Sequence, residues 1–317
     1  MASHERIWSS ATPGLLIILL DQSGSMLAPY DGHDTKTTFV SKAVNRIIGY
    51  LIETNFDGES PRNRCFISVI GYGNDVTELC SGYLKDLDAN PIRIESTKKK
   101  MSDGAGGIIE VTYDQPVWVD PISNVDKEEN SNMKKAFEST LKTTKQWIAG
   151  HPETPAPIVF NISNGMPHYE GKSIEVCMVE TLEVVNQLKD TMCSDGNVLI
   201  YNALMEKNDS TVSFPQSIEQ CSNHVEQYIF EISSAVPHSR ELIAKKEDIA
   251  IQKNSRACVF NANNMRDLVS IIQQKQIFLA AQVDETKTAN TRSMIKTSKN
   301  DTILSRILKS LKAIFTK

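Results

Sequence analysis

The run GLLIILL, Gly14 to Leu20, contains no polar residue, and an aspartate follows it at once. A strand with one wet face alternates polar and apolar side chains. One without alternation is buried on both faces, as in parallel sheets covered by helices. The run therefore predicts a central strand. After a polar loop, Phe39, Val40, Ala43, Val44, Ile47, Ile48, Leu51 and Ile52 recur at helical spacing, with Asp34 and Thr35 placed to cap the start. RCFISVIGYG then reads as a second buried strand. Two buried strands joined by a helix make a crossover unit, so the second should run parallel to the first.

The alternation repeats. SNMKKAFESTLKTTKQWI is predicted helical, with Met133, Ala136, Phe137, Leu141 and Ile148 on one side. APIVFNIS is a strand; Ile174, Cys177, Met178, Thr181, Leu182, Val185 and Leu188 line another helix; NVLIYNA is a strand again. A shorter helical piece around Val225–Ile232 leads to the strand RACVFNA and to a helix with Met265, Leu268, Val269 and Ile272. The pattern predicts an α/β fold: a doubly wound, mostly parallel sheet with helices on both faces, over residues 11–281 behind an N-terminal arm, 1–10.

Two regions break the rhythm. Residues 91–122 contain the lysines Lys98–Lys100, the turn DGAGG and a stretch in which Ile109, Val111 and Tyr113 alternate with Glu110, Thr112 and Asp114. We read an inserted, half-exposed β-hairpin, with the lysines in a solvated loop and Trp118 buried beneath it. Residues 282–300 are polar and read as a flexible linker. In 301–317, Ile303, Leu304, Ile307, Leu308, Leu311, Ile314 and Phe315 recur among Arg306, Lys309 and Lys312, a basic amphipathic helix. Its apolar side (Ile303, Leu304, Ile307, Leu308, Leu311, Phe315) is a partner-binding candidate, preferred over packing back on the domain or lying on an anionic membrane.

Charge divides the chain in the same place. From Thr286 to Lys317 there are eight Lys/Arg against one Asp, so of a net charge of −5 the remainder carries −12. An acidic body argues against nucleic acid as the main partner. The six cysteines are scattered with no CxxC pattern and mostly lie in apolar runs, where a cysteine is a small buried hydrophobe. No secretory signal or membrane-length apolar run is recognisable, and the expected location is cytoplasmic.

The first strand ends in DQSGS, which delivers Asp21, Ser23 and Ser25 to the edge where doubly wound sheets bind ligands, with Gly24 expected to bend the chain between the hydroxyls. One carboxylate and two hydroxyls suit a hard, oxygen-seeking cation such as Mg2+. D-x-S-x-S in this position resembles the von Willebrand factor type A (vWA) domain and its metal-ion-dependent adhesion site. That family adds a Thr from a second loop and an Asp from a third. NSNMKKAF places Ser131 at the second position and ISNGMP places Asn164 at the third. DGAGGIIEV, PVWVDP, KQWIAGHP, DGNVLIYNA, SFPQ and RACVFNA extend the resemblance, over about Gly14–Ile272, to bacterial stand-alone vWA proteins related to ones encoded near protein kinases and PP2C-type phosphatases.

The resemblance implies a metal site of Asp21, Ser23, Ser25, Ser131 and Asn164. It implies Mg2+ (with Mn2+ or Ca2+ as substitutes) and a protein partner whose Asp or Glu completes the coordination. The partner could be a phosphatase, a kinase or a defence effector, in signalling, stress response or phage defence. Serine keeps the hydroxyl of threonine, but asparagine removes a charge, so the cation should be held weakly. Two rivals stay open: a metal-free scaffold with a degenerate site, and a phosphohydrolase of the haloacid-dehalogenase type. The latter needs a second Asp where Ser23 stands. No catalytic constellation and no phosphate loop is visible, and the chain reads as non-enzymatic.

Overall fold

The computed structural model describes residues 4–32, 34–102, 107–122, 130–206, 211–241 and 251–261. In chain order the first elements are β1 (Gly14–Asp21), α1 (Lys36–Thr54), β2 (Cys65–Tyr72), β3 (Val76–Tyr83), α2 (Leu84–Ala89), β4 (Arg93–Ser102) and β5 (Ile108–Val117). They are followed by α3 (Met133–Gly150), β6 (Ile158–Ser163), α4 (Ile174–Asp190), β7 (Leu199–Leu204), β8 (Val212–Ser213), α5 (His224–Ile232) and β9 (Cys258–Phe260). Seven strands form one sheet in the order β8-β9-β7-β6-β1-β2-β3. The five inner strands are parallel, and antiparallel strands close both edges. This is the doubly wound α/β architecture that the alternation predicts.

Every residue of β1 is buried, for the reason its sequence suggests. Side chains alternate across a strand. Leu16, Ile18 and Leu20 enter a core completed by α1, through Phe39, Val44, Ile48 and Leu51. Leu15, Ile17 and Leu19 enter a second core, with Phe137 of α3, Val185 of α4 and Ile229 of α5. Burying each such side chain is worth roughly 1.5–3 kcal/mol. Thr35 caps α1, its hydroxyl accepting from Thr38 N at 3.3 Å.

The hairpin is present but differs from its reading. β4 and β5 pair with each other over ten residues and with no strand of the sheet. Ile109, Val111 and Tyr113 are exposed, as are Glu110, Thr112 and Asp114. Alternation records a half-buried strand only when a layer covers one face, and here neither is covered. Lys98 to Lys100 lie in β4, not in a loop. The hairpin's exit is anchored to the domain. Asn45 of α1 accepts from Trp118 N at 2.8 Å and Val119 N at 3.0 Å and returns a bond to Val119 O at 2.8 Å. Trp118 is buried, as read, and its Nε1 donates to Leu87 O at 2.7 Å.

Smaller differences have local causes. Ile174, placed on the inner face of α4, is 41% exposed, because the first helical residue precedes the point where the helix meets the sheet. Thr140 and Thr144 complete the inner face of α3; the Thr140 hydroxyl donates to Ala136 O at 2.9 Å, which lets it be buried. The edge strand β3 and the short α2 were not anticipated from the sequence. All six cysteines are free, and five are buried. Among the described residues no helix is long and apolar enough to cross a membrane. The helix read at Met265–Ile272, the linker 282–300 and the helix 301–317 with its Ile303–Phe315 face lie outside the described residues.

Candidate functional site

Three loops at the carboxyl edge of the sheet converge on Asp21, the last residue of β1 and only 3% exposed. Its Oδ1 accepts from Ser23 N at 2.9 Å. Its Oδ2 accepts from the Ser131 hydroxyl at 3.3 Å and from Asn164 N at 3.4 Å. Ser23 Oγ and Ser25 Oγ lie 2.9 Å apart, and Asn164 Nδ2 donates to Ser25 Oγ. The five residues singled out from the sequence thus form one hydrogen-bonded cluster, though they span 143 positions.

Each loop is held by backbone. Ser23 and Ser25 flank the start of a single 3-10 turn, Gly24–Leu27. Ser131 exchanges backbone bonds with His168, N to O at 2.7 Å and O from N at 3.1 Å, which ties the second loop to the third. Asn132 caps α3 by accepting from Lys135 N at 3.1 Å, and its own N donates to Gly73 O at 2.9 Å. Asn164 follows the last residue of β6.

The glycine that the site requires is not Gly24, which has no positive φ. It is Gly165, at φ +117°, where a Cβ would lie 2.2 Å from Val225 Cγ1 and 2.9 Å from Leu204 Cδ1. Gly71 is a second close approach, since a Cβ there would meet the Gln22 side chain at 2.2 Å. GYG in the second strand and SNG in the third loop were the available signals.

Burial pushes the Asp21 carboxyl above its usual range, and the bonds from Ser23, Asn164 and Ser131 offset part of that shift. Burial, with the Asp21 charge added, also holds the neighbouring Tyr72 phenol well above its usual range. Tyr72 Oη donates to Asn161 Oδ1 at 2.8 Å, Asn161 Nδ2 to Asn202 Oδ1 at 2.9 Å, and Asn202 Nδ2 to Ser233 Oγ at 2.8 Å. This buried chain crosses the sheet under the site with each amide satisfied, as burial demands. The sequence reading missed it. It also missed Lys36, which burial shifts downward while Glu206 and Asp21 act to raise it.

The donor set is one carboxylate, three hydroxyls and one amide. Among the described residues no three His, Cys, Asp or Glu side chains gather into a metal-binding group. A softer, nitrogen- or sulfur-seeking ion is therefore poorly matched, and an oxygen-seeking divalent cation fits better. Asn164 would offer its carbonyl oxygen by turning its amide over.

No protein-family model matches the sequence, and no curated relative does. Solved structures do resemble it. One is the ArnB paralog VWA2 from Sulfolobus acidocaldarius, 14% identical over 61% of this chain and 34% of that one, with a TM-score of 0.31. Another is the conserved hypothetical protein BatB from Bacteroides thetaiotaomicron, 14% identical over 82% of this chain and 96% of that one, with a TM-score of 0.42. A third is proximal thread matrix protein 1 from the mussel byssus with a zinc-occupied MIDAS motif, 8% identical over 86% of this chain and 46% of that one, with a TM-score of 0.43. The chain spans about a third of the VWA2 chain and under half of the mussel protein.

Proposed function

We propose that the chain is a non-enzymatic interaction module of the vWA type, which captures an acidic group of a protein partner through a weakly held divalent cation. The observation that carries this reading is the convergence of Asp21, Ser23, Ser25, Ser131 and Asn164 from three loops onto one carboxylate. Mg2+ is the favoured ion, with Mn2+ or Ca2+ as substitutes. A single internal carboxylate leaves a divalent cation with charge to spare, so an Asp or Glu from outside would complete both its coordination and its neutralisation. The partner is proposed to be a phosphatase, a kinase or a defence effector, in a bacterial signalling, stress-response or phage-defence complex. Neither nucleic acid nor a membrane is the proposed target. The cytoplasm is the proposed location, and the 301–317 helix a second contact for the partner.

The test is capture of a partner from the native host in Mg2+ and in chelator, with wild type and Asp21→Ala. A partner lost in chelator and in the variant supports metal-bridged adhesion. A partner kept in all conditions rejects it.

One observation favours a metal-free scaffold instead. Asn164 donates to Ser25, the two serine hydroxyls bond each other, and Asp21 accepts three bonds, so the cluster closes on itself without a cation. The phosphohydrolase reading has less behind it. Ser23, at the position of the acid/base, is 2% exposed and bonded to Ser25, and a serine cannot perform that proton transfer.

A further inference from the structure

The opposite edge of the sheet carries the inverse chemistry. At the amino ends of β7 and β9 opens a cleft of about 540 Å3 whose lining includes His4, Lys189, Asn197, Ser234, His238 and Arg256. That volume falls in the range of small-molecule sites, about 300–1,000 Å3. Lys189, in the last turn of α4, donates from Nζ to Glu231 O at 2.6 Å. Arg256 donates from Nη1 to Ser233 O at 3.2 Å, with its guanidinium 5.1 Å from the Phe230 ring centre.

Both acceptors are neutral carbonyls at the end of α5, and capping that helix uses one N–H from each cation. Lysine has three such donors and arginine five. Neither residue forms an ion pair among the described residues, and Glu5, the carboxylate lining the cleft, pairs with neither. Ser234 adds an independent sign. It is 7% exposed, and its Oγ accepts from Ile200 N at 2.9 Å, which leaves its own proton without an acceptor among the described residues.

We propose that this cleft is an anion site for a phosphate group, with Lys189 and Arg256 supplying charge and Ser234 a neutral donor. A helix cap needs one cation, and two held together repel each other. Burial first and then Arg256 pull the Lys189 ammonium down to about 8, while the nearby Glu231 and Asp190 carboxylates act to raise it. A phosphate monoester carries roughly −1.5 to −2 charge at neutral pH, enough to balance both cations, whereas a lone carboxylate balances one. The site is independent of the metal reading at the carboxyl edge.

The test is titration of the 15N-labelled full chain with inorganic phosphate, against sodium chloride at matched ionic strength, with and without chelator. Saturable, phosphate-specific shifts at the Asn197, Ser234 and Arg256 amides are expected, unchanged by chelator. Lys189→Met and Arg256→Met should each weaken binding about tenfold, the scale of one charged hydrogen bond, whereas Lys189→Arg retains it. Shifts that chloride reproduces, that map elsewhere, or that survive both methionine variants overturn the proposal. Where a methionine variant fails to fold, the wild-type map and Ser234→Ala, expected to weaken binding about threefold on the scale of one neutral hydrogen bond, decide the matter.

Discussion

The two edges of one sheet use charge in opposite ways. At the carboxyl edge a single buried acid is wrapped by hydroxyls and amides from three loops, and its donors are largely satisfied within the cluster. At the amino edge two cations share a cleft, and neither forms an ion pair among the described residues. The first edge is tight because loops after parallel strands meet there, and its polar groups are short side chains carried on those loops. The second is open because α4 and α5 end beside it, and its ligands are long side chains reaching helix carbonyls. A compact cluster of oxygen donors around one carboxylate matches the proposed hard cation, while a wider cationic cleft matches the proposed anion.

The contrast can be broken first at its backbone. Gly165→Val places a branched side chain at φ +117° against Val225 and Leu204. Strain and overpacking together should destabilise the domain by about 4 kcal/mol, seen as a fall in Tm of about 10 °C. An unchanged melting curve would mean that the third loop does not need this geometry.

Removing the acid comes next. Asp21→Ala takes away the cluster's only carboxylate, and divalent-cation affinity should drop by at least about 100-fold, more than outer-shell changes typically cause. Titration with Mg2+ and Mn2+ measures this, with phosphate binding at the other edge as the internal comparison. Equal affinity in the variant would place the cation elsewhere.

Asn164→Asp sharpens the comparison by restoring a second charge. Cation affinity should rise about tenfold, or about 1.4 kcal/mol, in the same titration. No gain would show that position 164 is not a ligand, and would favour the metal-free scaffold.

The smallest effect lies at the rim. Glu180 of α4 takes bonds from Lys134 of α3 at 3.0 Å, Lys172 at 3.1 Å and the Tyr169 hydroxyl at 3.1 Å. The lysines, Lys134 first, pull its carboxyl from the ordinary 4.5 down to about 2. A folded value below the unfolded one makes the contribution full above about 4.5, with loss as pH falls toward about 2. Thermal melts of wild type and Glu180→Gln should therefore differ near neutrality and converge through that acid window. A gap that stays constant with pH would mean that the carboxylate charge is not what couples α3 to α4.

Much of the frame was legible because burial leaves a record in sequence. β1 is an unbroken apolar run up to Asp21, β2, β6 and β7 are apolar but for single Ser and Asn residues, and α1 has its inner face spelled out at helical spacing. The DQSGS loop was legible too, since strand and loop are contiguous. Less legible were features whose cause is distant. The hairpin's alternation resembles that of a half-covered strand, yet nothing in residues 108–114 states that both faces stay exposed. Gly165 matters because of Val225, 60 positions away in the chain, and the Tyr72–Asn161–Asn202–Ser233 chain joins four separate elements.

The sequence alone therefore determined the alternation of buried strands and amphipathic helices, and with it the sheet edge at which Asp21 must emerge, because local periodicity dictates which faces leave water. Only the tertiary structure decided which loops meet. It set Ser131 and Asn164 against Asp21, closed that cluster through the Asn164–Ser25 bond, and left Lys189 and Arg256 together over a hollow at the far edge. Those pairings depend on strand order and on where helices end, and neither is written in any one segment.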